Sequence, residues 1–563
     1  MPSLNSSLNM GQRALSMNQR AMHTSGHNIA NQQTEGFSRQ QVTTQSAPAD
    51  PLGLGRGAEA QPTTRVFDHF IQKKILQENP RTGVFHTRED YLNKIEMLLN
   101  ELEGNGLNQA MNDYWNAWSQ LSSQPESDAA RSQLREVGDV LARRFRELHG
   151  RFTELRQEIN GRLQQTINQI NELGLKITEF NRQILTYESG QRNANDLRDA
   201  RNQAIEELSR LVDVNSYEDR NGNVTVIIGR DWTLVQSRNF SPLEASMKGG
   251  ETGMMSIDGV ATHDSRRDLT QIFREGEMTE LLRIRDETIV DYMHQIDELA
   301  FSIAGEVNRL HATGTGLNSA VDIMKSTFGL RHQAMNEPLP FIRDGIFQLH
   351  LVDRDNEILE TYEVEIQAGA DSLPDIVSRI NLTVNDPQLL NASLEEDGSM
   401  ILQSGDNRRF IFGEDQTGVT QVLGLNGFFE TLKGAEDISL SDTIQKHPNH
   451  ISSGRDLIPG DNRTALEIAK LSTKPIMHDG TMTFGEFFSS IITDLGLKVR
   501  RNQSEMKQQD NMIQQFKEIR SSISSVSMDE ELTNMVQYQK AYEASARFLG
   551  TVDEMMETVI NMK

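Results

Sequence analysis

The sequence of 563 residues contains no cysteine. This absence excludes disulfide bonds and thiolate metal sites, and it suits a protein that meets both reducing and oxidising surroundings. Long apolar runs are also missing, because no stretch approaches the ~20 residues that a membrane-spanning helix needs. The first ten residues have neither the basic region nor the apolar core of a secretory signal peptide. We therefore expect no membrane insertion, and either retention in the cytosol or export by a route that reads no such signal.

Basic residues are scarce relative to acidic ones. Aspartate and glutamate number 81 against 56 lysines and arginines, which gives a formal net charge of −25. Because a surface of this sign repels phosphate groups, the composition predicts no nucleic-acid partner. The same charge favours solubility.

Catalytic and metal-binding motifs are absent as well. His23 and His27 have metal-ligand spacing on a helix, but no Glu follows His23 as a zinc-protease motif requires, and no third ligand is evident. No nucleophile elbow or phosphate-binding lysine motif stands out. The sequence therefore predicts a protein that is not an enzyme and has no cofactor. An enzyme within the β-rich middle region is the alternative, and a ligand-dependent rise in the stability of fragment 338–440 would favour it.

The chain does contain an amphipathic, helical pattern at each end. The N-terminal repeat, at every seventh position, is Leu8, Leu15, Met22 and Ile29. The C-terminal repeat is Met535, Tyr542, Leu549 and Met556, interleaved with Tyr538, Val552 and Val559. Such heptads are typical of a coiled-coil seam, so we expect the two ends to pair. A helical bundle within one monomer is the simpler alternative.

Charge supports the pairing of the ends. Residues 1–40 carry three arginines against Glu35, a net charge of +2, whereas residues 529–563 carry a net charge of −4. Opposite signs favour contact, although an exposed pair contributes only about 0.2–1 kcal/mol. Ser527 and Glu530 have the spacing of a capping box at the start of the last helix.

The patterns between the ends predict a multidomain α+β fold. A helical pattern runs from Ala129 to Tyr187, and Asn221-Gly222 is a strong hairpin signal between two strands. The predicted segments are a coiled-coil helix with a following loop at 1–40, an extended linker at 41–85, a helical rod domain at 86–325 with a β-hairpin arm near 213–240, an inserted β-rich outer domain at 326–455, return helices of the rod at 456–527, and a second coiled-coil helix at 528–563.

Residues 25–40 resemble the N-terminal signature of bacterial flagellar axial proteins. The matching positions are Ala30, Asn31, Thr34, Gly36, Ser38 and Arg39, and Phe37 stands where Tyr is common. Residues 530–549 resemble the closing helix of the same class. Residues 201–213 and the hairpin after them are similar to the hook-associated protein 1 family.

The resemblance implies a structural component of the bacterial flagellum that forms the junction between hook and filament and is required for filament assembly. It implies an extracellular location after export by the flagellar type III system, without a cleaved signal peptide. The implied partners are other copies in a helical ring, the hook protein, the second hook-associated junction protein, and a cytosolic export chaperone at the C-terminal helix. Another axial protein, from the hook or distal rod, is the alternative, but its middle region would be mostly β, whereas residues 86–212 read as helical.

We expect the assembly interface to lie on the terminal helices, which the resemblance implies are disordered in a free monomer. The predicted interface residues are Leu8, Leu15, Met22, Ile29, Asn31, Gly36, Met535, Tyr542, Leu549, Val552, Met556 and Val559.

Overall fold

The computed structural model describes residues 2–47, 56–99, 106–189, 193–247, 253–261, 265–317, 320–326, 337–339, 342–354, 357–396, 398–405, 408–456 and 458–561. Its helices are α1 (Pro2–Ala30), α2 (His69–Leu99), α3 (Leu107–Ser123), α4 (Asp128–Glu188), α5 (Asn195–Leu211), α6 (Glu277–Arg283), α7 (Ile289–His311), α8 (Leu373–Val384), α9 (Val419–Val422), α10 (Asp442–Lys446), α11 (Arg463–Lys470), α12 (Met477–Gly480), α13 (Phe484–Ser524) and α14 (Met528–Asn561). A π-helical turn at Ile284–Thr288 joins α6 to α7, and a 3-10 turn spans Pro448–His450.

The strands are short and antiparallel. They are β1 (Gln40–Gln41), β2 (Thr44–Ser46), β3 (Ala58–Ala60), β4 (Thr64–Arg65), β5 (Val214–Glu218), β6 (Val224–Ile228), β7 (Trp232–Gln236), β8 (Asn239–Phe240), β9 (Leu243–Ser246), β10 (Ser256–Val260), β11 (Arg266–Asp268), β12 (Ile323–Lys325), β13 (Gly345–Val352), β14 (Ile358–Ile366), β15 (Leu390–Leu394), β16 (Met400–Ser404), β17 (Arg409–Asp415), β18 (Phe429–Glu430) and β19 (Ser439–Leu440). Long terminal helices, a helical core and a β-rich middle region confirm the predicted α+β class.

The chain divides into two compact units. The first unit comprises Met1–Tyr91, Gln157–Ile284 and Arg500–Lys563, and the second comprises Leu92–Arg156 and Arg285–Val499. The predicted long helix is confirmed as α4, whose 61 residues would extend roughly 90 Å at the usual rise. No helix among the described residues has the length and apolar character needed to span a membrane.

In the first unit, the predicted hairpin is confirmed. β5 pairs with β6, and Gly222 in the turn has a φ of +81°, which suits a residue without a Cβ. Asn181 of α4 continues the hydrogen bonding, since its Oδ1 accepts from the Val224 N–H at 3.0 Å and its Nδ2 donates to the Val224 carbonyl at 2.9 Å. The buried guanidinium of Arg201 donates to the Gly222 carbonyl at 2.6 Å. The hairpin is therefore fixed to α4 and α5.

The predicted extended linker at 41–85 ends too late, because α2 already begins at His69. Before α2, β1 pairs with β4 and β2 pairs with β3. Pro80 and Gly83 weaken the helical signal, but tertiary packing overrides it. A Cβ on Gly83 would lie 2.1 Å from the Arg210 carbonyl oxygen, so only glycine allows α2 to approach α5 this closely.

In the second unit, aromatic side chains of the helices form the core around Trp118. Tyr114 and Phe428 lie against Trp118, and all three side chains are buried. His311 is buried beside them, where its Nε2 accepts from the Ser452 N–H at 2.9 Å and its Nδ1 lies 2.8 Å from the Asn426 carbonyl oxygen. Burial lowers the pKa of His311 to about 4, so the ring is neutral near pH 7. Trp118 is therefore a packing residue of this core.

The β-rich region of the second unit has two three-stranded sheets, ordered β14-β13-β17 and β12-β16-β15. The predicted insertion at 326–455 begins too late for this structure, because β12 at Ile323–Lys325 already pairs with β16. The β-rich region also contains a helix, α8, which the sequence patterns did not predict. Ser372 and Asp375 form a capping box at the start of α8, and Leu373, Ile376 and Ile380 pack into the core between the sheets.

Candidate assembly surface on the terminal helices

The two terminal helices pair within the first unit. A Cβ on Gly11 would lie 2.8 Å from Leu549 Cγ, so the missing side chain lets α14 approach α1 closely. Further along α1, Asn18 Nδ2 lies 3.4 Å from Ser545 Oγ. Because residue numbers rise along α1 as they fall along α14, the helices are antiparallel. The predicted pairing of the ends is confirmed.

The centre of the contact on α1 is one row away from the predicted seam. Leu8, Leu15, Met22 and Ile29 are each only half-buried. The buried row at heptad spacing consists of small or polar residues: Gly11, Asn18 and Ser25, flanked by Ala21 and Asn28. Small side chains bring the two backbones together, and the larger apolar residues line the edge of the contact, where they retain solvent exposure.

On α14 the predicted residues divide between contact and solvent. Val552 is buried at 4% exposure, and Met535, Leu549 and Met556 are half-buried. Tyr542 and Val559 are 36% and 38% exposed. Other large apolar side chains of α14 are also exposed: Met528, Leu532, Val536, Phe548, Met555 and Ile560. A single subunit therefore leaves much of the apolar surface of α14 uncovered.

Residues 31–40, which follow α1 and are called the signature segment below, form a closed turn. Asn31 Nδ2 donates to the His27 carbonyl at 3.0 Å, and Thr34 Oγ1 donates to Asn31 Oδ1 at 3.2 Å. Gly36 is exposed and has a φ of +79°, a conformation that favours glycine. Gln40 then pairs with the side chain of Asn28, whose Oδ1 accepts from the Gln40 N–H at 2.9 Å. These bonds return the chain alongside α1.

Arg39 joins this segment to the start of α14. Its Nε donates to Glu531 Oε1 at 2.7 Å, and its Nη2 donates to Glu530 Oε1 at 2.8 Å. Its backbone N–H donates to the Ser524 carbonyl at 2.8 Å. Partial burial lowers the pKa of Arg39, but the two carboxylates outweigh this effect and the net shift is upward. The Glu530 carboxylate that the sequence assigns to a capping box with Ser527 is thus bound by arginine.

Ser38 fastens the same segment to α5. The Ser38 N–H donates to Asp199 Oδ2 at 2.8 Å, and its hydroxyl donates to Asp199 Oδ1 at 2.9 Å. Arg65 Nη1 donates to Asp199 Oδ1 at 2.7 Å, and both ionic side chains are largely buried. Burial raises the pKa of Asp199, although Arg65 and Ser38 act in the opposite direction. One carboxylate therefore holds the signature segment and β4 together.

The prediction that opposite charges draw the two helices together is wrong about the residues involved. Arg13 and Arg20 are exposed, and neither forms an ion pair with any residue that the structure describes. The ion pairs between the N-terminal segment and α14 come from Arg39 instead. The heptad pattern could not predict these ion pairs, because Arg39 lies outside the helix and binds glutamates that are almost five hundred positions away. The small residues of the Gly11 row were a readable signal for close helix contact.

The metal-ligand spacing of His23 and His27 is not completed by a third ligand in the described part of the chain. No group of three or more His, Asp or Glu side chains there is placed to hold a metal ion. His27 lies 3.3 Å from Asp196 and 5.5 Å, between ring centroids, from Phe37. Its surroundings are those of a residue that packs at the end of α1.

Known proteins share both the sequence and the fold. The Flagellar hook-associated protein FlgK helical domain matches residues 92–323, and the Flagellar basal body rod FlgEFG protein C-terminal matches residues 520–562. Flagellar hook-associated protein 1 of Bacillus subtilis is 24% identical over 568 residues, covering 98% of this chain and 97% of that protein. The Escherichia coli protein of the same name is 22% identical over 572 residues, covering 100% of both.

A solved structure, that of the flagellar hook junction protein FlgK from Burkholderia pseudomallei, aligns with a TM-score of 0.51 and 13% identity, covering 81% of this chain and 100% of that one. This likeness shows a shared fold. Over its full length the chain is therefore similar to flagellar hook-associated protein 1, and its residues 92–323 match the helical domain of that family.

Proposed function

We propose that this protein is a structural subunit of the flagellum that forms the junction between hook and filament and is needed for filament growth. The observation that supports this most directly is the state of α14. After α14 has paired with α1, Val536, Phe548 and Met555 remain 54%, 44% and 53% exposed. An apolar surface of this kind marks a site of protein contact. Copies of the chain in a helical ring would cover it.

The partners follow from the position of such a subunit. The hook protein lies below it and the second hook-associated junction protein lies above it. A cytosolic export chaperone covers α14 before the flagellar type III system secretes the chain without a cleaved signal peptide. The exposed apolar side chains of α14 support such masking before assembly, because a surface of this kind favours aggregation. We also propose that the twelve predicted interface residues contribute to the contacts between copies.

Deletion of the gene tests this function. We expect cells that bear hooks without filaments and that shed filament subunits into the medium, since those subunits have no junction on which to polymerise. Electron microscopy of the cell surface and immunoblots of the medium measure both effects. Expression of the wild-type chain from a plasmid is the control and should restore filaments. Normal filaments in the deletion strain would contradict the proposal.

A further inference from the structure

The charged side chains of α1 form a pair on one face. Arg13 and Arg20 are the only arginine, lysine, aspartate or glutamate residues in the helix. They lie seven positions apart, so they share a face, and this face is turned away from the row of Gly11 and Asn18 that contacts α14. Both are exposed, and neither has an ionic partner among the described residues. Within the described part of the chain, this amphipathic helix thus presents two unpaired positive charges to solvent.

The complementary charge lies near the end of α14. Asp553, Glu554 and Glu557 are exposed, and none of them forms an ion pair within the part of the chain that the structure describes. They surround Met555, which is 53% exposed. The end of α14 therefore presents apolar surface together with three acidic groups.

The two charged groups are held apart in a single subunit. The helices are antiparallel and meet at Gly11 and Leu549. From this point the arginines follow along α1 in one direction, and the acids follow along α14 in the other. At 1.5 Å per residue, the axial separations run from about 9 Å for Arg13 and Asp553 to about 25 Å for Arg20 and Glu557. The arginines also lie on the face of α1 that is turned away from α14, so a second helix pair, staggered along the axis, is better placed to join the two groups.

We propose that Arg13 and Arg20 of one copy bind the acidic end of α14, at Asp553, Glu554 and Glu557, in a second copy of this chain. The occupant is a second copy because each chain carries both members of a complementary pair that is not joined among its described residues. The two surfaces differ, so the contact is heterologous and repeats from copy to copy, as a ring or helical lattice requires. The opposite charges select the stagger between copies and suppress other registers. This inference rests on the proposed assembly function.

Mixing of two variants tests the proposal in the deletion strain. The first variant is Arg13→Glu with Arg20→Glu, and the second is Asp553→Lys with Glu554→Lys and Glu557→Lys. When only one variant is present, like charges meet at each proposed contact: acid against acid in the first variant and base against base in the second. We therefore expect about tenfold fewer filaments per cell than with the wild-type chain. When both variants are produced together, copies of the two can alternate in the assembly. The new glutamates of the first variant then face the new lysines of the second, and the native arginines of the second face the native acids of the first. We expect coexpression to restore most filaments, as counted by electron microscopy.

Several results would overturn the inference. If each variant alone supports normal filaments, the charges do not contribute; if coexpression gives no more filaments than either variant alone, the contact is not between copies. Circular dichroism and limited proteolysis of each purified variant verify that it folds. Lys446→Glu with Lys470→Glu is the charge-matched control for the first variant, since both lysines form exposed local pairs, and it should leave filaments unchanged. A deletion strain with normal filaments would instead refute the proposed function itself.

Discussion

Replacement of Leu549 by Asp should abolish filaments while hooks remain. Leu549 lies directly over Gly11, and a carboxylate at this position would be forced against the backbone of α1. Leu549 is half-buried in this contact, so a carboxylate without a partner there opposes the pairing, and α14 should separate from α1. The cores around α4 and in the second unit do not depend on this residue. The variant should therefore fold apart from its terminal helices, as circular dichroism and limited proteolysis can measure.

The matched control is Leu382→Asp on α8. Leu382 is 76% exposed, so the same chemical change there should alter neither folding nor filament number. Filaments are counted by electron microscopy in the deletion strain that expresses each variant. Normal filaments with Leu549→Asp would show that the α1–α14 contact is not required for assembly.

Loss of the Asp199 carboxylate should release the signature segment from α5. In Asp199→Ala, the buried guanidinium of Arg65 loses its ionic partner, and the N–H and hydroxyl of Ser38 lose their acceptor. Removal of one member of a buried ion pair typically costs about 3–5 kcal/mol. We expect the free energy of unfolding of the first unit to fall by about this amount. Denaturant titration measures the loss, and hydrogen exchange at the Ser38 amide reports whether the segment has opened.

The comparison with Asp231 separates burial from charge. Asp231 pairs with Arg267 on the surface, where both side chains are about half exposed. Asp231→Ala removes the same group and should cost no more than about 1 kcal/mol. Asp199→Asn keeps one oxygen acceptor, so its loss of unfolding free energy should lie between those of Asp199→Ala and Asp231→Ala. Unchanged protection of the Ser38 amide in Asp199→Ala would contradict the role assigned to this carboxylate.

The features that could be predicted from the sequence depend on local or periodic signals. α1, α4 and α14 carry sustained heptads, and the turn at Asn221-Gly222 contains residues that suit positive φ. These signals do not need knowledge of distant contacts. The existence of the long helix and of the hairpin therefore followed from the residues themselves.

The features that escaped prediction depend on contacts between distant residues. α8 contributes an apolar face to a core that it shares with strands of both sheets. α2 accommodates Gly83 because the helix packs closely on the backbone of Arg210 at this position. Arg39 meets Glu531 across nearly the whole length of the chain. Such pairs have no spacing that a reader of one sequence can recognise. The heptads likewise predicted that α1 pairs with α14, but not that the small row of Gly11 lies at the centre.

The central claim is that α1 and α14 of the same subunit stay paired in the assembled junction. Because the chain has no cysteine, Asn18→Cys with Ser545→Cys places the only two thiols at a known contact, where the native side chains lie 3.4 Å apart. Junctions assembled from a mixture of isotopically heavy and light subunits are treated with a short thiol crosslinker and analysed by mass spectrometry. We predict that every linked peptide pair carries one isotope, since both cysteines come from one chain. Linked pairs that combine heavy and light peptides would contradict the claim.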